Sequence, residues 1–237
     1  VGMILLSAVN RKLSSFTSDV DVAVIPLKSG DKLIGESQVS QNLLEAFAND
    51  LESTELAELE VERIERVLEE DPFVADAEAY VGQHNALHVR IKQREPILRI
   101  LDNNGGNYYL DKDGAKIPHS RLYTARVLVG TGNIAPYTVD FQEKKKNNLK
   151  DLFLLTKRLL EDSELSAFIQ QVHVNTAGEF TLIPTIGDQK ILLGSVRNLE
   201  DKLHRLKVIY TEGMPYAGWR TYRVVNLKFN GQVVCQK

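Results

Sequence analysis

Five histidines, one cysteine and a large set of carboxylates are the groups in this 237-residue chain that could bind a metal, attack a carbonyl or move a proton. Few of them stand in patterns that such chemistry needs. His84 and His88 are close, but one falls in a turn and the other on a strand, and no glutamate lies between them as in a helical zinc site. His119, His173 and His204 are isolated in sequence. Asp111-Lys112-Asp113-Gly114 opens like a calcium loop, yet it lacks the later ligands and the terminal glutamate that coordination requires. It reads as a structural turn. Gly130-Thr131-Gly132-Asn133 follows a strand as a phosphate cradle would, but Ile134-Ala135-Pro136 comes next instead of a Lys-Ser/Thr pair opening a helix. No nucleophile elbow is present, and Cys235 has no catalytic signature around it. Lys144-Lys145-Lys146 could touch anionic lipid; with Glu143 adjoining, it reads first as a solvated loop. The expectation is a protein without catalytic residues, metal or cofactor.

Bulk composition narrows the classes further. Apolar residues make up 43% of the chain and charged residues 26%, enough to bury two modest cores without disulfides. A net charge of −3 supplies no broad positive field, which disfavours nucleic acid as a partner. A single cysteine excludes an internal disulfide framework. Val1–Val9 is apolar over a stretch too short to span a bilayer, which needs about 20 residues. It reads either as a buried first strand or loose end, or, over residues 1–12, as the outer end of a membrane helix. Arg11 and Lys12 directly after it weigh mildly against export.

The elements come in a clear order. Val20, Val22 and Val24 alternate with polar or small residues, a half-buried strand that Pro26 ends. Lys28–Gly35 is a loop. Val39, Leu43, Leu44 and Phe47 share a helical face, as do Val61, Ile64 and Leu68, before Pro72 stops the second helix. Ala75, Ala77, Ala79 and Val81 alternate along a strand, and Leu87, Val89 and Ile91 along the next. Strand, helix, helix, strand, strand makes a three-stranded sheet covered on one face. The segment Val61–Pro96 carries no chemistry and reads as a module that holds other proteins.

Beyond Pro96 the pattern turns mostly to strand. Asn104-Gly105-Gly106 and the Asp111–Gly114 turn separate short strands, and Arg126–Gly130 is another. Leu149, Leu152, Phe153, Leu159 and Leu160 form a helix face with Asn148 as N-cap. Gln171–Asn175, Glu179–Pro184 and Lys190–Gly194 form a meander. Asn198 caps a second helix carrying Leu199, Leu203, Leu206 and Tyr210, which Gly213 and Pro215 end. A last hairpin joins Tyr222–Phe229 to Gln232–Gln236 through Asn230-Gly231. Its first strand, Val224, Val225, Asn226, Leu227, Lys228 and Phe229, is either one more core strand or a sheet edge open to a partner's strand.

The ordered set of motifs resembles the FtsQ/DivIB family of bacterial cell-division proteins. Pro72-Phe73-Val74 with Ala77, then Leu87-x-Val89-x-Ile91 and Gln93-Arg94-Glu95-Pro96, is similar to that family's POTRA segment. Asp111-x-x-Gly114, Lys202-Leu203 with Leu206, and Val225-Asn226-Leu227-Lys228-Phe229 are similar to its second domain. Together the motifs span roughly residues 20–236. Gln93 stands where the family usually has Glu, and no glycine follows the first strand where the family often has one. Asn226, Lys228 and Phe229 stand where Asp, Arg and Tyr are usual. Lysine keeps the charge but loses arginine's fork.

The resemblance implies an α+β protein: a POTRA domain (β-α-α-β-β) over residues 18–96, then a mainly antiparallel β-domain with two helices over 97–237. It implies a single-span inner-membrane protein of the division septum with this region in the periplasm, and favours the membrane-helix reading of residues 1–12. It implies a scaffold binding FtsB and FtsL, with strand augmentation along Val224–Phe229. The alternative is a periplasmic POTRA chaperone or scaffold of outer-membrane protein assembly. That would call for tandem repeats or a lipid-facing barrel, and residues 100–237 show neither pattern. A cell-wall hydrolase would call for a nucleophile or metal set.

Overall fold

The computed structural model describes residues 16–47, 51 and 54–237. The apolar start at Val1–Val9 lies outside them. Among the described residues no helix is long and apolar enough to cross a membrane. The chain forms two compact units. One runs to Glu95 and takes in Ser120–Thr124; the other comprises Pro96–His119 and Ala125–Lys237.

The first unit contains β1 (Asp19–Ile25), α1 (Glu36–Ala46), α2 (Val61–Glu69), β2 (Val74–Val81) and β3 (Ala86–Gln93). The strands lie in the order β1-β3-β2, with β1 parallel and β2 antiparallel to β3. Alternation along β3 buries Leu87, Val89 and Ile91 beneath Val39 and Leu43 of α1 and Ile64 and Leu68 of α2. Each such side chain contributes roughly 2 kcal/mol of burial. Two details differ from the sequence pattern. Leu44 is 60% exposed, because the buried stripe of α1 is confined to Val39 and Leu43. The register shifts between Val74 and Asp76, so Val74 is buried and Ala75 faces out.

Gln93 ends β3 as a buried polar stitch. Its Oε1 accepts the N–H groups of Leu33 (2.6 Å) and Ile34 (3.2 Å), and its Nε2 donates to the Ile25 carbonyl at 2.7 Å. Ser120 Oγ donates to the Leu33 carbonyl at 2.6 Å, so the same loop is held from two directions.

The second unit is built on a nine-stranded sheet. Its strands are β4 (Pro96–Asp102), β5 (Asn107–Asp111), β6 (Lys116–Pro118), β7 (Leu128–Gly132), β8 (Ile169–Val174), β9 (Phe180–Pro184), β10 (Lys190–Gly194), β11 (Val224–Asn226) and β12 (Val234–Gln236). They lie in the order β12-β11-β10-β9-β8-β7-β4-β5-β6. The neighbours β4–β7, β7–β8 and β10–β11 are parallel and the remaining pairs antiparallel. The fold is therefore α+β with a mostly antiparallel sheet. The helices are α3 (Asn148–Glu161), α4 (Ser163–Phe168), α5 (Leu199–Val208) and α6 (Met214–Ala217). Leu149, Leu152, Phe153, Leu155 and Leu159 of α3 and Leu203 and Leu206 of α5 pack into the sheet's core. Leu160 instead faces solvent at 45% exposure.

Helix ends depart from the simplest reading. Asn147, not Asn148, caps α3: its Oδ1 accepts from Leu149 N (2.8 Å) and Lys150 N (3.2 Å). Asn148 turns back to the preceding loop, accepting from Ala135 N and donating to the Asn133 carbonyl, both at 2.7 Å. Asn198 precedes α5 in the left-handed region at φ 52° and makes no side-chain cap bond. Gly213 and Pro215 do not stop this helix. It passes through a π turn at Ile209–Gly213 into α6, where Pro215 sits in the first turn and needs no donor, and Gly218 closes it at φ 87°.

Candidate partner-docking edge

The last hairpin is where the geometry departs most from the sequence reading. Val224, Val225 and Asn226 are not a free rim. They pair in parallel with Lys190, Ile191 and Leu192 of β10 on one side. On the other side they pair with Gln236, Cys235 and Val234 of β12. Asn230-Gly231 reverses the chain, with Gly231 at φ 68°, and this folds the final residues back over that edge. Leu227 continues toward β10 by donating its N–H to the Leu192 carbonyl at 2.9 Å. Val225 and Leu227 are fully buried, whereas Lys228 and Phe229 reach solvent. Asn226 Oδ1 accepts from Lys228 N at 3.0 Å, which starts the turn.

The outermost strand is β12. Lys190 N donates to the Arg223 carbonyl at 2.8 Å and Leu227 N to the Leu192 carbonyl, so the main chain of Val225 between them faces β10, while the Arg223 N–H crosses to the Gln236 carbonyl. Val224 and Asn226 then face Gln236 and Val234. Alternation along β12 leaves the N–H and C=O of Cys235 on the open side. The Cys235 side chain packs partly into the core, and burial pushes its thiol up from the ordinary range, which opposes thiolate chemistry.

Two cations three residues apart on α5 hold this end of the sheet. Lys202 is buried and donates Nζ to the carbonyls of Leu193 (3.0 Å) and Ser195 (2.7 Å) at the end of β10. Desolvation pushes its ammonium down, and the nearby Arg205 charge adds to that. Arg205 donates to the carbonyls of Phe229 (3.0 Å), Leu227 (3.4 Å) and Gln232 in the hairpin turn. Asp201 orients that guanidinium through a 2.9 Å bond to Nε. Lys228 Nζ meets Glu179 Oε2 at 2.7 Å, which holds that carboxyl below its usual range. The Lys202-Leu203-x-x-Leu206 pattern marked this helix, but Arg205 carried no sequence signal of its own. Beside the turn lies an open groove of about 500 Å³, with Val208, Ile209 and Val233 among its lining.

The other chemistry-bearing stretches are absorbed by the fold. Asp111 Oδ1 accepts from Asp113 N (2.9 Å) and Ala115 N (2.8 Å), making the Asp111–Gly114 stretch a side-chain-stabilised turn. A side chain at Gly130 would strike Leu152 Cδ2 at 2.6 Å, and one at Gly132, held at φ 97°, would strike the Val174 carbonyl at 2.2 Å. These glycines serve close packing. His88 Nδ1 lies 3.1 Å from Asp21 Oδ2 and its ring stacks on Tyr80, while His84 sits in a turn at φ 59°. Lys144 is spoken for by Thr138 Oγ1 at 2.8 Å. Among the described residues no three His, Cys, Asp or Glu side chains converge on a metal-sized site. What the second unit offers is a main-chain rim with a stapled turn and an apolar groove beside it.

Comparison with known families agrees on both units. A family model described as FtsQ/DivIB, C-terminal related, matches residues 95–236. A POTRA-like domain model matches residues 18–92. No curated protein matches the chain.

Proposed function

We propose, on the premise that this chain belongs to the FtsQ/DivIB, C-terminal related family, that it is a non-catalytic scaffold of the bacterial division machinery. Its partners are divisome proteins of the FtsB and FtsL type. It works in the periplasm at the septum, held to the inner membrane by a helix at its N-terminal side. A partner strand adds to the sheet along β12 rather than along Val224–Phe229. What supports this reading is that β12 is the terminal strand, whose alternation directs the main chain of Cys235 away from β11. Main-chain bonds give affinity there. The apolar groove beside the turn takes a guest side chain, and the exposed Lys228 and Phe229 tune selectivity.

The test is a pull-down of the chain against periplasmic FtsB and FtsL segments, using Cys235→Pro and Cys235→Ser. Proline removes the outward N–H, whereas serine keeps it and controls for loss of the thiol. Retained thermal unfolding with binding lost only in Cys235→Pro is expected. A folded Cys235→Pro chain that binds like the parent would overturn the rim assignment.

A further inference from the structure

A second groove of about 900 Å³ lies where β10 and β11 begin, and its charged lining is mostly basic. Lys190, Arg220 and Arg223 line it against a single carboxylate, Asp188, in a protein of net charge −3. All three cations are exposed. Among the described residues none of them forms an ion pair, whereas Arg158, Arg205, Lys207 and Lys228 each hold a carboxylate. Three unneutralised cations in one concave site repel one another, a cost that an incoming anion relieves.

The walls are fixed in advance. Trp219 stands 5.9 Å from Tyr210, whose ring lies 4.3 Å from Phe168. Gln189, itself buried, donates Nε2 to the Trp219 carbonyl. Lys190 N donates to the Arg223 carbonyl at 2.8 Å, and Arg223 N to the Gln236 carbonyl at 2.8 Å. Trp219 keeps 41% of its surface exposed, so an anchored aromatic face sits among the cations. This is a site that orders little on binding.

We infer that this groove binds an acidic peptide segment in extended form. The arginine forks would take its carboxylates in bidentate fashion, and an apolar residue would lie on Trp219. Concavity favours a peptide over a lipid surface, which meets flat or convex faces. The inference stands on the groove alone and does not depend on strand addition at β12.

Trp219 is the only tryptophan in the chain and reports on the site directly. The experiment titrates the whole chain with a synthetic peptide of alternating glutamate and alanine around one phenylalanine, following tryptophan emission. A saturable shift is expected, weaker at high salt, absent with a glutamine-for-glutamate peptide, and weakened about tenfold or more in Arg220→Glu/Arg223→Glu. No saturable shift, or equal binding by the double variant, overturns the proposal. So does a shift produced by phosphatidylglycerol vesicles but not by the peptide. The double variant should still capture its partner at the β12 rim, and Cys235→Pro should still bind the acidic peptide, so the two sites fail separately.

Discussion

Arg205 Nη1 donates to the main-chain carbonyl of Phe229 at 3.0 Å, tying helix α5 to the turn of the last hairpin. The same guanidinium reaches Leu227 and Gln232, and its side chain is only 12% exposed. A terminal strand as short as β12 has little pairing of its own, so its order depends on the staple at its turn. Helix packing is thereby converted into a rigid rim.

Arg205→Ala should therefore loosen the rim before it unfolds the domain. Loss of charge-assisted bonds to carbonyls is worth about 2 kcal/mol. Chemical denaturation should show that loss, and amide exchange should quicken across Val234–Gln236 ahead of the central strands. Arg205→Lys should recover only part of the effect, since an ammonium cannot span three carbonyls as the fork does.

Lys202→Met tests the buried ammonium. Leu193 and Ser195 carbonyls lose their shared donor, at about 1–3 kcal/mol, offset in part by the desolvation that lysine suffers. The folded state depresses the Lys202 pKa, so in the alkaline window below the ordinary lysine value the unfolded chain holds more protons than the folded one. Stability of the parent must rise with pH through that window. Urea unfolding should show the parent gaining on Lys202→Met between neutral and alkaline pH.

Gln93→Glu probes the stitch at the end of β3. A carboxylate still accepts from Leu33 and Ile34 but meets the Ile25 carbonyl with an oxygen where Nε2 now donates. Protonation restores the donor, so the introduced acid should have a raised pKa in the folded state. Stability of Gln93→Glu should then be highest in mild acid and fall as pH climbs from the unfolded carboxyl value through the folded one. Thermal melts at acidic and neutral pH read this as the difference between Gln93→Glu and the parent, whose own lowered carboxyls, Glu179 among them, weaken it in acid.

Gly132→Ala should cost several kcal/mol, since a methyl would meet the Val174 carbonyl at 2.2 Å in a backbone conformation unsuited to alanine. Gly178→Ala is the control: it shares a positive φ of 77° but has nothing within 4 Å. Its smaller loss in a denaturation series isolates the contribution of packing.

Much of this architecture is legible in the sequence because periodicity and turn chemistry are local. Leu87, Val89 and Ile91 announce a half-buried strand, and Asn230-Gly231 announces the final reversal. Which strand ends the sheet was not legible. Val225-Asn226-Leu227 carries the stronger strand pattern, while Val234-Cys235-Gln236 is too short to weigh against it. The outer place goes to β12 because β10 occupies one side of β11, and the seven residues between Asn226 and Val234 fold the chain back onto the other. Gln93 looked like a minor change, since its value lies in three main-chain partners that sequence spacing cannot bring together. Arg205 was invisible for the same reason: its acceptors are carbonyls, and every residue has one.

The sheet's two extremes are chemically unequal. At the far extreme β6 finishes in Pro118, a residue with no amide hydrogen to offer. Stacking of copies along this sheet, edge upon edge, would find one main-chain donor missing at that border. Of the two borders of this sheet, the one at β6 is therefore the poorer template for a visiting chain.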